Sequence, residues 1–177
     1  MKINATNDEA QKIHSDIYQE IVNYIAQPEH IKLFISRKKL NLDAFVYTVE
    51  QLMGRLTVIR ILEDTGQLPQ PVLQPLLKMH QKADNDGEEL WEALLDIFLD
   101  MRLAMEKEDD MESVWSLSGV DELHIQNKTT RKILDLYNQL DFSDGLQIAA
   151  QLDSWIKEMS KAFCEGLEGT LNKRQKH

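Results

Sequence analysis

The segment Asn41–Gly66, NLDAFVYTVEQLMGRLTVIRILEDTG, does most to limit what this chain can fold into. Leu42, Phe45, Val49, Leu52, Leu56 and Ile59 recur at alternating steps of three and four. At about 3.6 residues per turn, that spacing lays an apolar stripe along a helix. Val46, Met53 and Leu62 widen the stripe. Asn41 is placed to cap the free amides of the first turn. Gly66 can take the left-handed conformation that ends a helix, and Pro69 prevents its resumption. The pattern specifies a central core helix. Arg60 lies one turn from Glu63 and Asp64, so a local ion pair accounts for those charges.

The same periodicity predicts helices along the rest of the chain. The first runs from about Asp8 to Gln27, with Ile13, Ile17, Ile21, Tyr24 and Ile25 on one face, and Pro28 ends it. A short segment, Glu29–Lys39, follows with Ile31, Phe34 and Ile35. After the long third helix, Pro71 and Pro75 suit the first turns of a fourth that reaches roughly Lys82. ADNDG at 83–87 reads as a turn. A fifth helix spans Glu88 to about Lys107, with Trp91, Leu94, Leu95, Phe98, Met101, Arg102 and Met105 on one face. The stretch 108–127 is the least regular, with room for a short helix around Glu112–Leu117. A sixth helix starts at Thr129 or Thr130 and ends near Leu140. A seventh starts at Ser143 and carries Ala149, Leu152, Ile156, Met159 and Phe163. No strand pattern of period two emerges. Residues 1–170 are therefore expected to form a single all-α domain, a bundle of six or seven helices packed as antiparallel neighbours, with 171–177 a frayed polar tail.

Composition narrows the function. With 7 glycines and 4 prolines in 177 residues, a turn-rich sandwich or barrel is disfavoured. The formal charge of -10 disfavours nonspecific binding to nucleic acid or to an anionic membrane. One local exception is Lys32, Arg37, Lys38 and Lys39, with Phe34 among them. Those cations could contact phosphates, but a surface turn that balances the acidic remainder explains them as well. The single cysteine, Cys164, precludes an internal disulfide and sits amid Phe163 and Leu167, as a small buried or half-buried apolar residue would. The N-terminus lacks the apolar core of a signal peptide, and no apolar run is long enough to span a bilayer, so a cytoplasmic location is expected.

Catalytic chemistry finds little purchase. The histidines, at 14, 30, 80, 124 and 177, are too far apart in sequence for a helical zinc pair. No serine lies in a glycine elbow, and no glycine-rich phosphate loop is present. Carboxylates are the exception. Glu88, Glu89 and Glu92 spell EExxE, and Glu106 with Asp109 spells ExxD. That order resembles the motifs of the all-α nucleoside triphosphate pyrophosphohydrolases. The resemblance implies Glu89, Glu92, Glu106 and Asp109 as ligands of Mg2+ on a bound triphosphate; without it, no cofactor is expected and these are solvated helix faces.

A second resemblance is carried by LMGRLTVIRILEDTG at 52–66 and ILDLYNQLDFSDGLQIAAQL at 133–152. In this order they resemble two segments from the helical region of type I and type IIG restriction-modification adenine methyltransferases. Leu52, Arg55, Leu56, Ile59, Arg60, Leu62, Glu63, Asp64 and Gly66 match the first. The chain lacks the methyl-donor glycine loop and an NPPY-type motif. The resemblance thus implies a helical scaffold without catalysis, contacting DNA or an enzyme subunit through Arg55 and Arg60.

The reading favoured by the whole sequence is a non-enzymatic helical protein acting on another protein or on a second copy of itself, as regulator, adaptor or assembly module. Its expected contact residues are Arg55 and Arg60, the Trp91–Phe98 face, and Trp115 in the irregular segment. The pyrophosphohydrolase and the restriction-system scaffold are the alternatives. They differ in what they require: carboxylates converging on one metal, or arginines facing outward.

Overall fold

A computed structural model describes residues 2–105 and 114–175. Helices dominate them, as the periodicity predicts: α1 (Asp8–Ile25), α2 (Pro28–Ile31), α3 (Leu42–Asp64), α4 (Leu73–Met79), α5 (Glu89–Met105), α6 (Asn127–Asn138) and α7 (Gly145–Gln175). Four strands of two residues each accompany them: β1 (Ile3–Asn4), β2 (Ile35–Ser36), β3 (Lys39–Leu40) and β4 (Leu140–Asp141). None of the described helices is long and apolar enough to cross a membrane.

The long helix starts and stops as its sequence dictates. Asn41 Oδ1 accepts from the Ala44 amide at 3.1 Å, and Gly66 takes the left-handed conformation at φ 72° just past the end. Phe45, Val49, Leu52, Leu56 and Ile59 are all buried, and they join one apolar core with side chains from α1, α4, α5, α6 and α7.

Helix direction follows from contacts far apart in sequence. Helix α6 returns antiparallel along α1: Lys132 pairs with Glu20, and Tyr137 meets His14. Likewise α7 is antiparallel to α3, since Gly145 lies at Ile61 and Ser160 hydrogen-bonds Glu50. By contrast α1 and α7 run the same way, because Asn4 bonds Asp144, His14 meets Trp155 and Tyr18 meets Ser160. Expectation had every neighbour antiparallel. The parallel pairing of β1 with β4, Ile3 on Leu140 and Asn4 on Asp141, starts both helices from one end. Strands of two residues are too short to leave a period-two signature.

Other boundaries also differ from the sequence reading. The segment after Pro28 is not one helix. Pro28 opens the single turn of α2, a 3-10 turn follows at Lys32–Phe34, and β2 and β3 form a hairpin. Its two turn residues, Arg37 and Lys38, have φ of 52° and 66°, a type I′ geometry that favours Asn-Gly. Left-handed backbone at a side-chain-bearing residue costs roughly 1–2 kcal/mol. No local rule would therefore place such a turn at Arg-Lys. The short helix expected at Glu112–Leu117 is absent from Val114–Leu117, its remainder lying outside the described residues; a 3-10 turn sits instead at Gly119–Glu122. Finally, α7 continues to Gln175, into the 171–177 stretch expected to fray.

Candidate functional site

Arg55 leaves the middle of α3 and is fully buried. Its Nη1 and Nη2 donate to Asp121 Oδ1 and Oδ2 at 2.9 and 3.0 Å, a bidentate pair. Its Nε donates to the Val114 carbonyl at 2.8 Å, and Nη2 also to that of Ser116 at 2.8 Å. Gln51, one turn earlier, donates to the same two carbonyls. From α5, Arg102 donates to the Trp115 carbonyl and to Asp121 Oδ1. Asp121 also accepts from the Ser118 amide, so it caps the 3-10 turn while bridging two arginines. Partial burial alone would raise its carboxyl pKa, yet the Arg55 hydrogen bonds, the Ser118 amide and both arginine charges hold it below the usual range. Residues 114–122 thus form a strap clamped across α3 and α5. Gly54 makes room for it, since a Cβ there would lie 2.8 Å from a Val114 methyl.

The expected contact aromatics, Trp91 and Phe98 of α5 and Trp115 of the strap itself, meet beneath it. Trp91, Phe98 and Trp115 are 2%, 0% and 3% exposed. The Trp91 indole donates to the Leu123 carbonyl, and the Phe98 ring packs between Trp91, Trp115 and the Arg55 guanidinium. These three side chains and Arg55 therefore offer no surface to a partner, contrary to expectation. An irregular segment rich in polar residues reads as surface from sequence. What ties it down, with Trp115 and Val120 turned inward, is the set of side-chain donors beneath it.

Arg60 is likewise turned inward, 3% exposed. It bonds Glu63, Asp64 and the Leu140 carbonyl. Those two acids carry the contacts onward: Glu63 Oε2 accepts from the amides of Val72 and Leu73 at the start of α4, and Asp64 Oδ2 from the Phe142 amide after β4. The local ion pair expected at Arg60 is present, and it organises where three elements meet. The arginines that a DNA-contacting scaffold requires at the surface are in the interior.

The carboxylates of the metal reading do not gather among the described residues. Glu106 and Asp109 lie outside them. Glu89 is committed to structure: its Oε2 accepts from Asn127 Nδ2 at 2.6 Å, and that bond, with its own backbone amide, holds the carboxyl below its usual pKa. Glu92 is exposed on the next turn. No group of three metal-ligating side chains occurs among the described residues. Asn127, fully buried, is the centre of this corner, since it also accepts from the Leu90 amide and donates to the Asp84 carbonyl. Removing it strands the Leu90 amide and takes a donor from the Glu89 carboxylate, while the Asp84 carbonyl keeps the Gly87 amide. Asn127→Ala is expected to lower the unfolding free energy by about 2–3 kcal/mol, read as an earlier urea midpoint at unchanged slope.

What the surface does offer is apolar. Leu33, Ile35, Leu40, Tyr47, Leu99, Leu103 and Leu117 are 38–73% exposed. Three of them are on the strap or on α5, whose Arg102 ties it. Leu117 belongs to the strap, Leu99 and Leu103 bracket Arg102 on α5, and Tyr47 precedes Thr48, whose hydroxyl lies against Gly119. Phe34, which anchors the hairpin, also reaches Gly119. The grooves elsewhere are open and shallow; one of about 560 Å³ runs between Ile61, Thr65 and Gln67 of the α3 end and Ser143–Gly145. Leu99 and Leu103 lie beside the α5 face read from the sequence, and periodicity does not say whether a leucine flanking such a face is covered; Leu33, Leu40 and Leu117 lie outside the α-helices and carry no periodicity. Comparison with protein-family models, curated proteins and solved structures yields no match.

Proposed function

We propose that this chain is a non-enzymatic binding protein that works by contact with another protein or with a second copy of itself. The observation that supports this reading is exposed apolar surface on the strap and on α5, which helps to hold it: Leu117 of the strap stands 73% exposed, Leu99 and Leu103 of α5 stand 44% and 54%, and the strap is tied down by Gln51, Arg55 and Arg102. Apolar side chains gathered on a rigid surface are what a protein interface uses. The polar groups that sequence offered for other chemistry are spent elsewhere, with Arg55 and Arg60 on backbone carbonyls and Glu89 on Asn127.

The test pairs affinity capture from a cell extract with sedimentation equilibrium of the purified protein. The wild type is expected to retain one protein stoichiometrically or to self-associate, and Leu103→Glu with Leu117→Glu to abolish this without changing the melting temperature. A monomer that retains nothing, or magnesium-dependent hydrolysis of nucleoside triphosphates by the pure protein, would overturn the reading.

A further inference from the structure

We propose that the β2–β3 hairpin is a docking finger for an acidic, aliphatic segment of a partner protein. This rests on the reading of the chain as a binding protein and assigns one of its contact surfaces. The finger stands on Phe34, which is buried and edge-on to Phe45 at 5.3 Å, and the Asn41 amide closes its base on the Phe34 carbonyl at 2.7 Å. Every residue from Ile35 to Leu40 beyond that anchor is exposed.

The finger has two kinds of side chain in a fixed arrangement. Ile35 and Leu40 are directly opposite in the ladder, so they share one face, 44% and 38% exposed. Leu33 adds a third aliphatic group at 48%. Lys32, Arg37, Lys38 and Lys39 surround them, and among the described residues none of these cations has a carboxylate within ion-pair distance. This is a positive, apolar protrusion on a chain of net charge -10. Its tip residues occupy left-handed backbone that Asn-Gly would adopt without strain. Strained backbone that places two cations at an exposed tip is the pattern of a contact site rather than of a connector.

Charge and shape choose the partner. A polyanion such as nucleic acid, or an anionic bilayer, extends far beyond the finger and meets the repulsion of the acidic body within a Debye length. A short acidic protein segment meets only the finger. Aliphatic side chains suit it too, because nucleic-acid contact on a single strand draws on exposed aromatic platforms, and Phe34 is buried.

Selection of a displayed random peptide library on the full-length protein tests this, followed by titration of a selected peptide against variants. Enrichment of peptides that combine Asp or Glu with Leu, Ile or Val is expected, with binding that weakens as salt rises. Arg37→Glu with Lys38→Glu should weaken that peptide roughly tenfold or more. Arg37→Asn with Lys38→Gly relaxes the turn while removing the charge, so it should raise the melting temperature and still weaken the peptide. Selection of no peptide, of peptides without acidic residues, or of peptides that bind this relaxed variant as tightly as wild type overturns the assignment. So does finger-dependent binding of oligothymidylate or of phosphatidylserine vesicles in preference to the peptide. Peptides that bind independently of the finger would leave the protein a binding module while removing the finger from it.

Discussion

Arg55→Leu is expected to lower the unfolding free energy by about 3–5 kcal/mol, the range found when one partner of a buried ion pair is removed. At roughly 2–4 °C per kcal/mol for a chain of this size, the melting temperature should fall by about 10 °C. The reason is the strap. Arg55 supplies both bonds of the pair with Asp121 and two more to the Val114 and Ser116 carbonyls, from a position with no access to water. Leucine fills much of the space but leaves Asp121 with one cation, Arg102, beside the Ser118 amide, and leaves two carbonyls to Gln51 alone. Adding Asp121→Asn should recover part of the loss, because a neutral amide oxygen can still accept from Ser118. Acid provides a second readout. A depressed carboxyl adds stability above its unfolded pKa and loses it as pH falls through the folded one. That part of the acid sensitivity should shrink in Arg55→Leu. A loss under about 1 kcal/mol in urea titration would mean that Trp115 packing, not charge, holds the strap.

Below neutral pH the expected weak point is His14. It is fully buried on α1 among Tyr137, Phe142 and Trp155, with ring centroids at 6.4, 6.3 and 5.6 Å. Neither ring nitrogen has a hydrogen-bond partner. Burial lowers its pKa from 6.5 to about 4, and the nearby Ala5 backbone, outside hydrogen-bond geometry, opposes this only in part. The unfolded chain therefore takes up the proton first. His14 favours the fold in full above pH 6.5, and that contribution is lost as pH falls toward 4, where it levels off. The total is about 3 kcal/mol, taken at about 1.4 kcal/mol per pKa unit. His14→Phe should abolish this share of the acid loss, so that wild type and variant diverge in urea midpoint between pH 7 and pH 4.5. Parallel curves over that range would assign the acid sensitivity to the carboxylates instead.

Much of the architecture is legible in the sequence. Asn41, the apolar stripe from Leu42 to Ile59 and Gly66 specify α3 through local rules, and α3 appears with those ends. Helix α1 ends before Pro28 as its sequence dictates, and α5 starts within one residue of the expected Glu88 and follows its apolar face to the last residue described there, Met105. The hairpin was not legible, because Arg-Lys is a poor type I′ turn and the strands are too short for alternation. The docking finger was legible only in its ingredients. The basic cluster at 32–39 stands out by composition alone, but its aliphatic face depends on a register that pairs Ile35 with Leu40.

Arg55 and Arg60 mark the division. Sequence by itself determined that they lie within an amphipathic helix, and that Arg60 has acids one turn away. It could not determine on which side of the helix wall their charge is neutralised, because an arginine can reach water or the interior from similar positions. Tertiary structure decided that. Carbonyls of the strap and of Leu140, far along the chain, come within 2.8 Å of the guanidinium groups, and two side chains that resemble outward contacts become the ties of the core.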